Sequence, residues 1–277
     1  MTTVVANWSV AYTISSPECR AIPELAYQAE LPAALDDLAA LGYDGVEIQV
    51  RDADAAASAG LVEQVRARGL GIAALATGPV ATDDGLTFTS TDPQVRAEAL
   101  RRLSGIIDLA VQHGVPVTLG RAKGELDAGS EELQRIWARE AIAELAERAA
   151  AGGQAILVEP QSGSFLSTVG ATVDFLGVAS APMPGAGLVF DLWHAAKEED
   201  DVVVAATDAG ALLNHVQLAD SDRGPLGEGT FDIAGFLALL ERLDYKGWLT
   251  LEHSQRGDSR AAAETSLTTL RTLRGAS

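Results

Sequence analysis

The chain has 277 residues, 47% of them hydrophobic and 21% charged, with 39 acidic against 20 basic side chains and a net charge of −19. That composition supplies a core for a globular protein and argues against a disordered or fibrous one. The acidic balance argues against binding DNA, RNA or an anionic membrane, which clustered Lys and Arg would be needed to hold.

Short β-rich runs alternate with longer Ala/Leu/Glu/Arg segments along the whole chain. The patterning predicts a strand over 4–13, a helix over 31–41, a strand over 45–50 and a helix over 57–68. A strand over 71–77, a helix over 93–113, a strand over 116–119 and a helix over 130–151 follow. The second half repeats the alternation: strand 155–159, helix 172–179, strand 187–191, helix 205–211, strand 215–218, helix 233–243, strand 248–252 and a closing helix over 261–274. Thr91-Asp92-Pro93 reads as a cap with proline in the first turn. Leu100, Leu103, Ile107 and Val111 then recur at helical spacing and predict a buried stripe. Glycine follows a helix and precedes a strand at Gly42, Gly69 and Gly114, where a left-handed residue commonly ends the helix.

Eight such repeats with no evident linker predict one α/β domain over 1–277, a single (β/α)8 TIM barrel. An open doubly wound sheet is the rival, but it usually carries a Gly-rich phosphate loop after its first strand, and none stands there. Cys19 is the only cysteine, so no intrachain disulfide and no thiolate metal cluster is expected. The chain starts without the basic stretch of a secretion signal and has no uncharged apolar run near the ~18 residues of a membrane span. A cytoplasmic location is the expectation.

Four strand-like runs end on an oxygen-bearing side chain: Ile156-Leu157-Val158-Glu159, Leu188-Val189-Phe190-Asp191, His215-Val216-Gln217 and Leu249-Thr250-Leu251-Glu252. The spacing between these ends is about one strand-plus-helix unit, so successive parallel strands would bring all four to one mouth. Carboxylates converging there repel one another, and a divalent cation is the simplest way to hold them. Two Glu, one Asp and one Gln form an all-oxygen set that suits Mg²⁺ or Mn²⁺ better than Zn²⁺.

Each residue also has a purely structural role to weigh. Glu159 and Glu252 each fit a buried ion pair with arginine, and Asp191 fits an N-cap for the segment after it. His194, three residues beyond Asp191, fits a packed or surface histidine. Arg223 suits a substrate oxygen or carboxylate through its planar donor pair, or a loop salt bridge with Asp220 or Asp222. His215 and Gln217 share one face of their strand. Gln217, the outer of the two, is the better ligand candidate, with His215 hydrogen-bonding beneath the metal. Gly227 and Gly229 suit a tight loop. Four unrelated ion pairs on adjacent strands are less probable than one shared site.

With these residues the chain resembles the xylose isomerase-like TIM-barrel superfamily of sugar phosphate isomerases and epimerases. The matching pieces are Gly42-Tyr43-Asp44-Gly45-Val46-Glu47-Ile48, Ala76-Thr77-Gly78, Asp84-Gly85-Leu86, Leu157-Val158-Glu159-Pro160, Asp191-Leu192-Trp193-His194, Ala219-Asp220-Ser221 with Arg223, and Glu252. Among its branches the chain is similar to keto-sugar and keto-acid 3-epimerases, including 5-ketogluconate epimerase. The His-Val-Gln is similar instead to hydroxypyruvate isomerase, where the Gln is a metal ligand. Two departures stand out. The epimerases usually carry His where Gln217 stands, and Gln161-Ser162-Gly163 replaces the Asn and Arg of the 5-ketogluconate branch.

The resemblance implies that Glu159, Asp191, Gln217 and Glu252 bind one divalent metal, Mn²⁺ first, with Mg²⁺ or Co²⁺ as alternates. It implies that His194 and Arg223 contact substrate oxygens and that Glu159 and Glu252 exchange protons with the substrate. The implied reaction is isomerisation or epimerisation of a keto-sugar or keto-acid through a cis-enediolate. A dehydratase of the inosose dehydratase type is the alternative on the same site. An apurinic endonuclease is disfavoured by only 4 His and by the acidic charge. A non-catalytic sugar-binding protein is disfavoured by the four intact ligand positions. The expected partner is a small molecule, and a homo-oligomer is left open.

Overall fold

In the computed structural model, which describes residues 8–177 and 183–275, the strand-and-helix alternation closes into a barrel. The strands are β1 (Val10–Ser15), β2 (Gly45–Gln49), β3 (Gly71–Ala76), β4 (Val117–Leu119), β5 (Ile156–Val158), β6 (Ala186–Asp191), β7 (Leu213–Leu218) and β8 (Leu249–Leu251). Each pairs in parallel with the next, and β1 closes on β8 with Ala11 beside Thr250. A closed parallel sheet has no edge, and both of its faces are covered, so its strands carry near-continuous Val, Ile, Leu and Ala. The protein is therefore the (β/α)8 barrel that the patterning predicts.

Helices α1 (Leu31–Leu41), α2 (Ala53–Ser58), α3 (Leu61–Arg66), α4 (Gly78–Thr82), α5 (Pro93–His113) and α6 (Glu131–Ala151) connect the first five strands. Helices α7 (Val169–Phe175), α8 (Leu192–Glu198), α9 (Val202–Ala209), α10 (Ile233–Arg242) and α11 (Ser259–Gly275) complete the outer layer. On α5, Asp92 accepts from Gln94 N at 2.8 Å and Pro93 begins the first turn, as the local sequence predicts. The buried stripe there is Ala99, Leu103, Ile106, Ile107 and Ala110, while Leu100 and Val111 are only partly buried. Each large aliphatic side chain buried this way contributes about 1.5–3 kcal/mol.

Several boundaries move. The predicted strand over 4–13 is β1, with 4–7 outside the described residues. The predicted helix over 57–68 is two helices, because Gly60 takes φ 63° between α2 and α3 and breaks the hydrogen-bonding run. The predicted helix over 205–211 starts earlier, at Val202, where Asp201 caps the N-terminus. The predicted helix over 172–179 is α7, which starts earlier, at Val169, and its positions 178–179 lie outside the described residues. Among the described residues, no helix is long and apolar enough to cross a membrane.

Candidate active site

Strand register brings the predicted residues together. Asp191 is the last residue of β6 and pairs directly with Gln217 on β7. Glu159 follows β5 and donates its backbone N–H to Leu119 O, and Glu252 follows β8 and donates to Leu218 O. All four side chains are buried at the C-terminal mouth, and Glu159, Gln217 and Glu252 line a cavity of about 780 Å³. The loops above the strand ends form the usual site of chemistry in such a barrel.

Asp191 serves two purposes at once. Its Oδ1 caps α8, accepting from Trp193 N at 2.7 Å and His194 N at 3.2 Å. Oδ2 is thereby left facing His194 Nε2 at 3.8 Å. The cap places His194 one turn along, where Nε2 also stands 3.8 Å from Glu159 Oε1. The imidazole is buried, which pushes its pKa down to about 4 against the pull of Asp191. Ser162 N–H donates to His194 Nδ1 at 3.2 Å. On the other side of the ring the Arg223 guanidinium, which can only donate, stands 3.4 Å from Nε2, so a donor faces each ring nitrogen.

Arg223 lies in the left-handed region at φ 60°, a conformation that disfavours a side chain with a Cβ and costs about 1 kcal/mol. That backbone turn aims the guanidinium inward, against the Trp193 ring at 4.3 Å. Its Nη2 lies 3.4 Å from Asp191 Oδ2 and 3.3 Å from Glu252 Oε2. The predicted loop salt bridges with Asp220 or Asp222 are absent. Arg256 holds Asp222, and the backbone N–H groups of Ser221, Gly227 and Phe231 hold Asp220.

Sequence reasoning missed the layer beneath. Glu47 on β2 is fully buried and receives Gln217 Nε2 at 2.7 Å on one oxygen and His215 Nε2 at 2.5 Å on the other. His215 also meets Thr250 Oγ1 at 3.0 Å. His215 thus reaches Gln217 through Glu47, so its expected orienting role is indirect. The bond from Gln217 Nε2 fixes the amide and turns Oε1 into the mouth. Gln49 Nε2 donates to Glu252 Oε1 at 3.3 Å. Lys123, also fully buried, donates to the carbonyls of Gly120 at 2.8 Å and Glu159 at 2.6 Å, tying the end of β4 to the backbone of the acid. At Gly120 a Cβ would lie 2.6 Å from Glu159 Oε2, so only glycine leaves that carboxylate its space. Glu47 lay within a matching sequence piece, but nothing in the local pattern marked its partners.

Charge is under-compensated here. Burial and the Asp191 carboxylate push Glu159 up to about 7, against Lys123 and Arg223. Burial pushes Glu252 well above the usual carboxylate range, opposed by Arg223 and reinforced by Glu159. Glu159 Oε1 and Gln217 Oε1 are buried without any hydrogen-bond partner. Buried acceptors are rarely left so, and two at one cluster of acids are complementary to a cation. Glu159, Asp191 and His194 offer atoms within 4.8 Å of one another, a group compact enough for one ion. His194 Nε2, however, faces the Arg223 guanidinium at 3.4 Å. The residues that fit a hard cation are Glu159, Asp191, Gln217 and Glu252.

Comparison with known proteins agrees with this architecture. A probable ketose 3-epimerase of Synechocystis sp. is 28% identical over 178 residues, so this chain spans 60% of that relative's length and matches it over 61% of its own. An L-ribulose 3-epimerase of Methylomonas sp. (strain DH-1) is 29% identical over 231 residues, 79% of this chain and 77% of that protein. The solved structure of an L-ribulose 3-epimerase superposes with a TM-score of 0.80 at 23% identity, covering 96% of this chain and 95% of that one, and so shares its fold. Residues 35–273, from within α1 into α11, match the family described as Xylose isomerase-like TIM barrel, and the chain belongs to that family.

Proposed function

We propose that this protein is a divalent-metal-dependent sugar isomerase or epimerase that moves a proton at a carbon next to the carbonyl of a keto-sugar or keto-acid. One arrangement carries the reading. Four oxygen-bearing side chains from β5, β6, β7 and β8 meet at a buried mouth, and Glu159 Oε1 and Gln217 Oε1 there lack partners. The 3-epimerase relatives support the same reaction class.

Glu159, Asp191, Gln217 and Glu252 would hold the ion, and Mn²⁺, Mg²⁺ or Co²⁺ suits that donor set. When bound, the ion supplies Lewis-acid polarisation of the substrate carbonyl. Glu159 and Glu252 reach the site from β5 and β8, with two strands between them, and so face a bound sugar from different sides. One carboxylate takes the proton and the other returns one, through the substrate's enediolate. Return at the same carbon from the opposite face inverts it, whereas return at the neighbouring carbon shifts the carbonyl. The imidazole of His194 and the guanidinium of Arg223 contact substrate oxygens and orient them. The Trp193 ring holds Arg223 in place.

The test is deuterium incorporation from D₂O into a panel of ketoses and keto-acids, with Mg²⁺ or Mn²⁺ present, read by NMR and mass spectrometry after the metal is removed. The expected result is exchange at one carbon next to the carbonyl. Water loss with new ultraviolet absorbance would instead identify a dehydratase, and no exchange in any compound would sink the reading.

A further inference from the structure

A second cavity, of about 520 Å³, opens beside the one over the acids, and Thr82, Arg121 and Gln161 line both. These residues follow β3, β4 and β5, so the two cavities are chambers of one cleft running outward across those strand ends. Small-molecule sites commonly occupy about 300–1,000 Å³. The inner chamber alone therefore accommodates a sugar, and the outer one adds a further site.

The junction is lined by polar groups that make no side-chain bond to the described residues and face the cleft. Gln161 is only 8% exposed, yet its side-chain amide has no hydrogen-bond partner among the described residues. A Cβ built on Gly120 would lie 2.6 Å from Glu159 Oε2 and 3.6 and 3.7 Å from the oxygen and nitrogen of that amide. Amide and carboxylate thus flank the same gap. Arg121 has no carboxylate within ion-pair distance among the described residues. Farther out, the hydroxyls of Thr87, Thr89 and Thr91 likewise make no hydrogen bond among the described residues.

Uncommitted hydroxyls and an amide match a ligand rich in O–H groups, each of which both donates and accepts. The outer chamber has no aromatic lining, which sets it against a flat apolar group. It also carries Glu125 and Asp127, so an anion there would face two acids for one guanidinium.

We infer that the substrate is longer than a free keto-sugar: a keto-sugar joined to a second, uncharged polyhydroxylated unit, as in a glycoside. The reacting unit lies over Glu159, the second unit fills the outer chamber, and Gln161 and Arg121 bind the junction between them. This rests on the proton-transfer reading for which chamber holds the carbonyl. It also gives the departure at Gln161-Ser162-Gly163 a role in setting substrate length.

Calorimetry and deuterium exchange on the Mg²⁺-loaded full chain separate the two readings. The probes are a ketohexose, a neutral disaccharide of that ketohexose with one aldohexose, and a ketohexonate. The disaccharide is expected to bind at least about tenfold more tightly than the ketohexose, the equivalent of one or two added hydrogen bonds. Its kcat/KM for exchange should rise in the same ratio, and Gln161→Ala and Thr89→Val should each draw that ratio toward one. Equal affinities, no binding of the disaccharide, or a ratio unmoved by both substitutions overturns the inference. So does a ketohexonate that binds more tightly than the disaccharide and loses its advantage in Arg121→Met. A disaccharide preference without exchange leaves the outer chamber standing and removes the proton-transfer reading; exchange without the preference does the reverse.

Discussion

Two carboxylate sites at the same end of the barrel are neutralised in opposite ways. Asp84, in the loop after α4, is held by Arg20 at 2.6 Å, Arg51 at 2.9 Å and Arg102 at 3.0 Å. Burial alone would raise its pKa, but the guanidinium bonds and charges of Arg51 and Arg102 win and hold it below the usual range. At the strand ends, Asp191 and Glu252 share one guanidinium through contacts of 3.4 and 3.3 Å, and at Glu159 and Glu252 burial wins instead. The first site is complete within the chain and serves to fasten a loop. The second is left short of positive charge, with acceptors facing inward, which is the balance the proposed cation would complete.

The sharpest way to break this contrast is at the proposed base. Glu159→Gln keeps the shape and removes the carboxylate, so deuterium exchange should fall by about 10²–10⁴-fold, the usual worth of a general base. Circular dichroism should show the fold intact. Retention of the wild-type rate would place the proton transfer elsewhere.

Next in size is the support beneath the site. Glu47→Ala leaves Gln217 Nε2 without its acceptor and His215 Nε2 with Thr250 Oγ1 alone, at a cost of about 2–3 kcal/mol in urea unfolding. A cost below about 1 kcal/mol would show that Glu47 is not the keystone of that layer.

The third effect is pH dependence without metal. A carboxyl whose folded pKa is raised binds its proton more tightly in the native state, so its stability contribution is lost as pH rises toward that pKa. Below about pH 6.5 this is opposed by His194 and His253, whose pKa values burial pushes down to about 4. Lys123, lowered to about 8 by burial, opposes it above that pH. Between about pH 6.5 and 8 the acids act alone, and the metal-free protein should lose stability as pH rises, by about 1 kcal/mol from Glu159 with Glu252 adding in the same direction. Thermal unfolding in a chelator series reads this. Saturating Mg²⁺ should flatten the slope, and a rise of stability with pH in the chelated protein would contradict the charge assignment.

Smallest is Asp84→Asn. Its partners include the well-exposed Arg20, so solvent screening limits the loss to about 1 kcal/mol, with exchange close to wild type. An activity loss as large as that of Glu159→Gln would erase the distinction between the two sites.

The barrel was legible in the sequence because buried parallel strands are short apolar runs and each connector is long enough to show its own period. The four strand-end polar residues were legible for a related reason: an acid or amide at the end of such a run has no apolar explanation. Glu47 was not, since Gly-Val-Glu-Ile-Gln reads as an ordinary half-exposed strand until barrel closure brings β7 across from it. Lys123 was hidden because its partners are backbone carbonyls, which leave no trace in side-chain identity. The break at Gly60 was missed because a single glycine inside a helical pattern is often tolerated. The setting of His194 was hidden because Nδ1 meets the backbone of Ser162, which lies 32 residues away along the chain.

The central claim is that the strand-end cluster seats one dication, and a Mn²⁺ titration of the chelated protein followed by electron paramagnetic resonance and calorimetry tests it most directly. One equivalent should bind to the wild-type chain, with affinity reduced at least about 100-fold in Asp191→Asn and in Glu252→Gln and left unchanged in Asp84→Asn. No stoichiometric binding, or binding that survives both cluster substitutions, would contradict it.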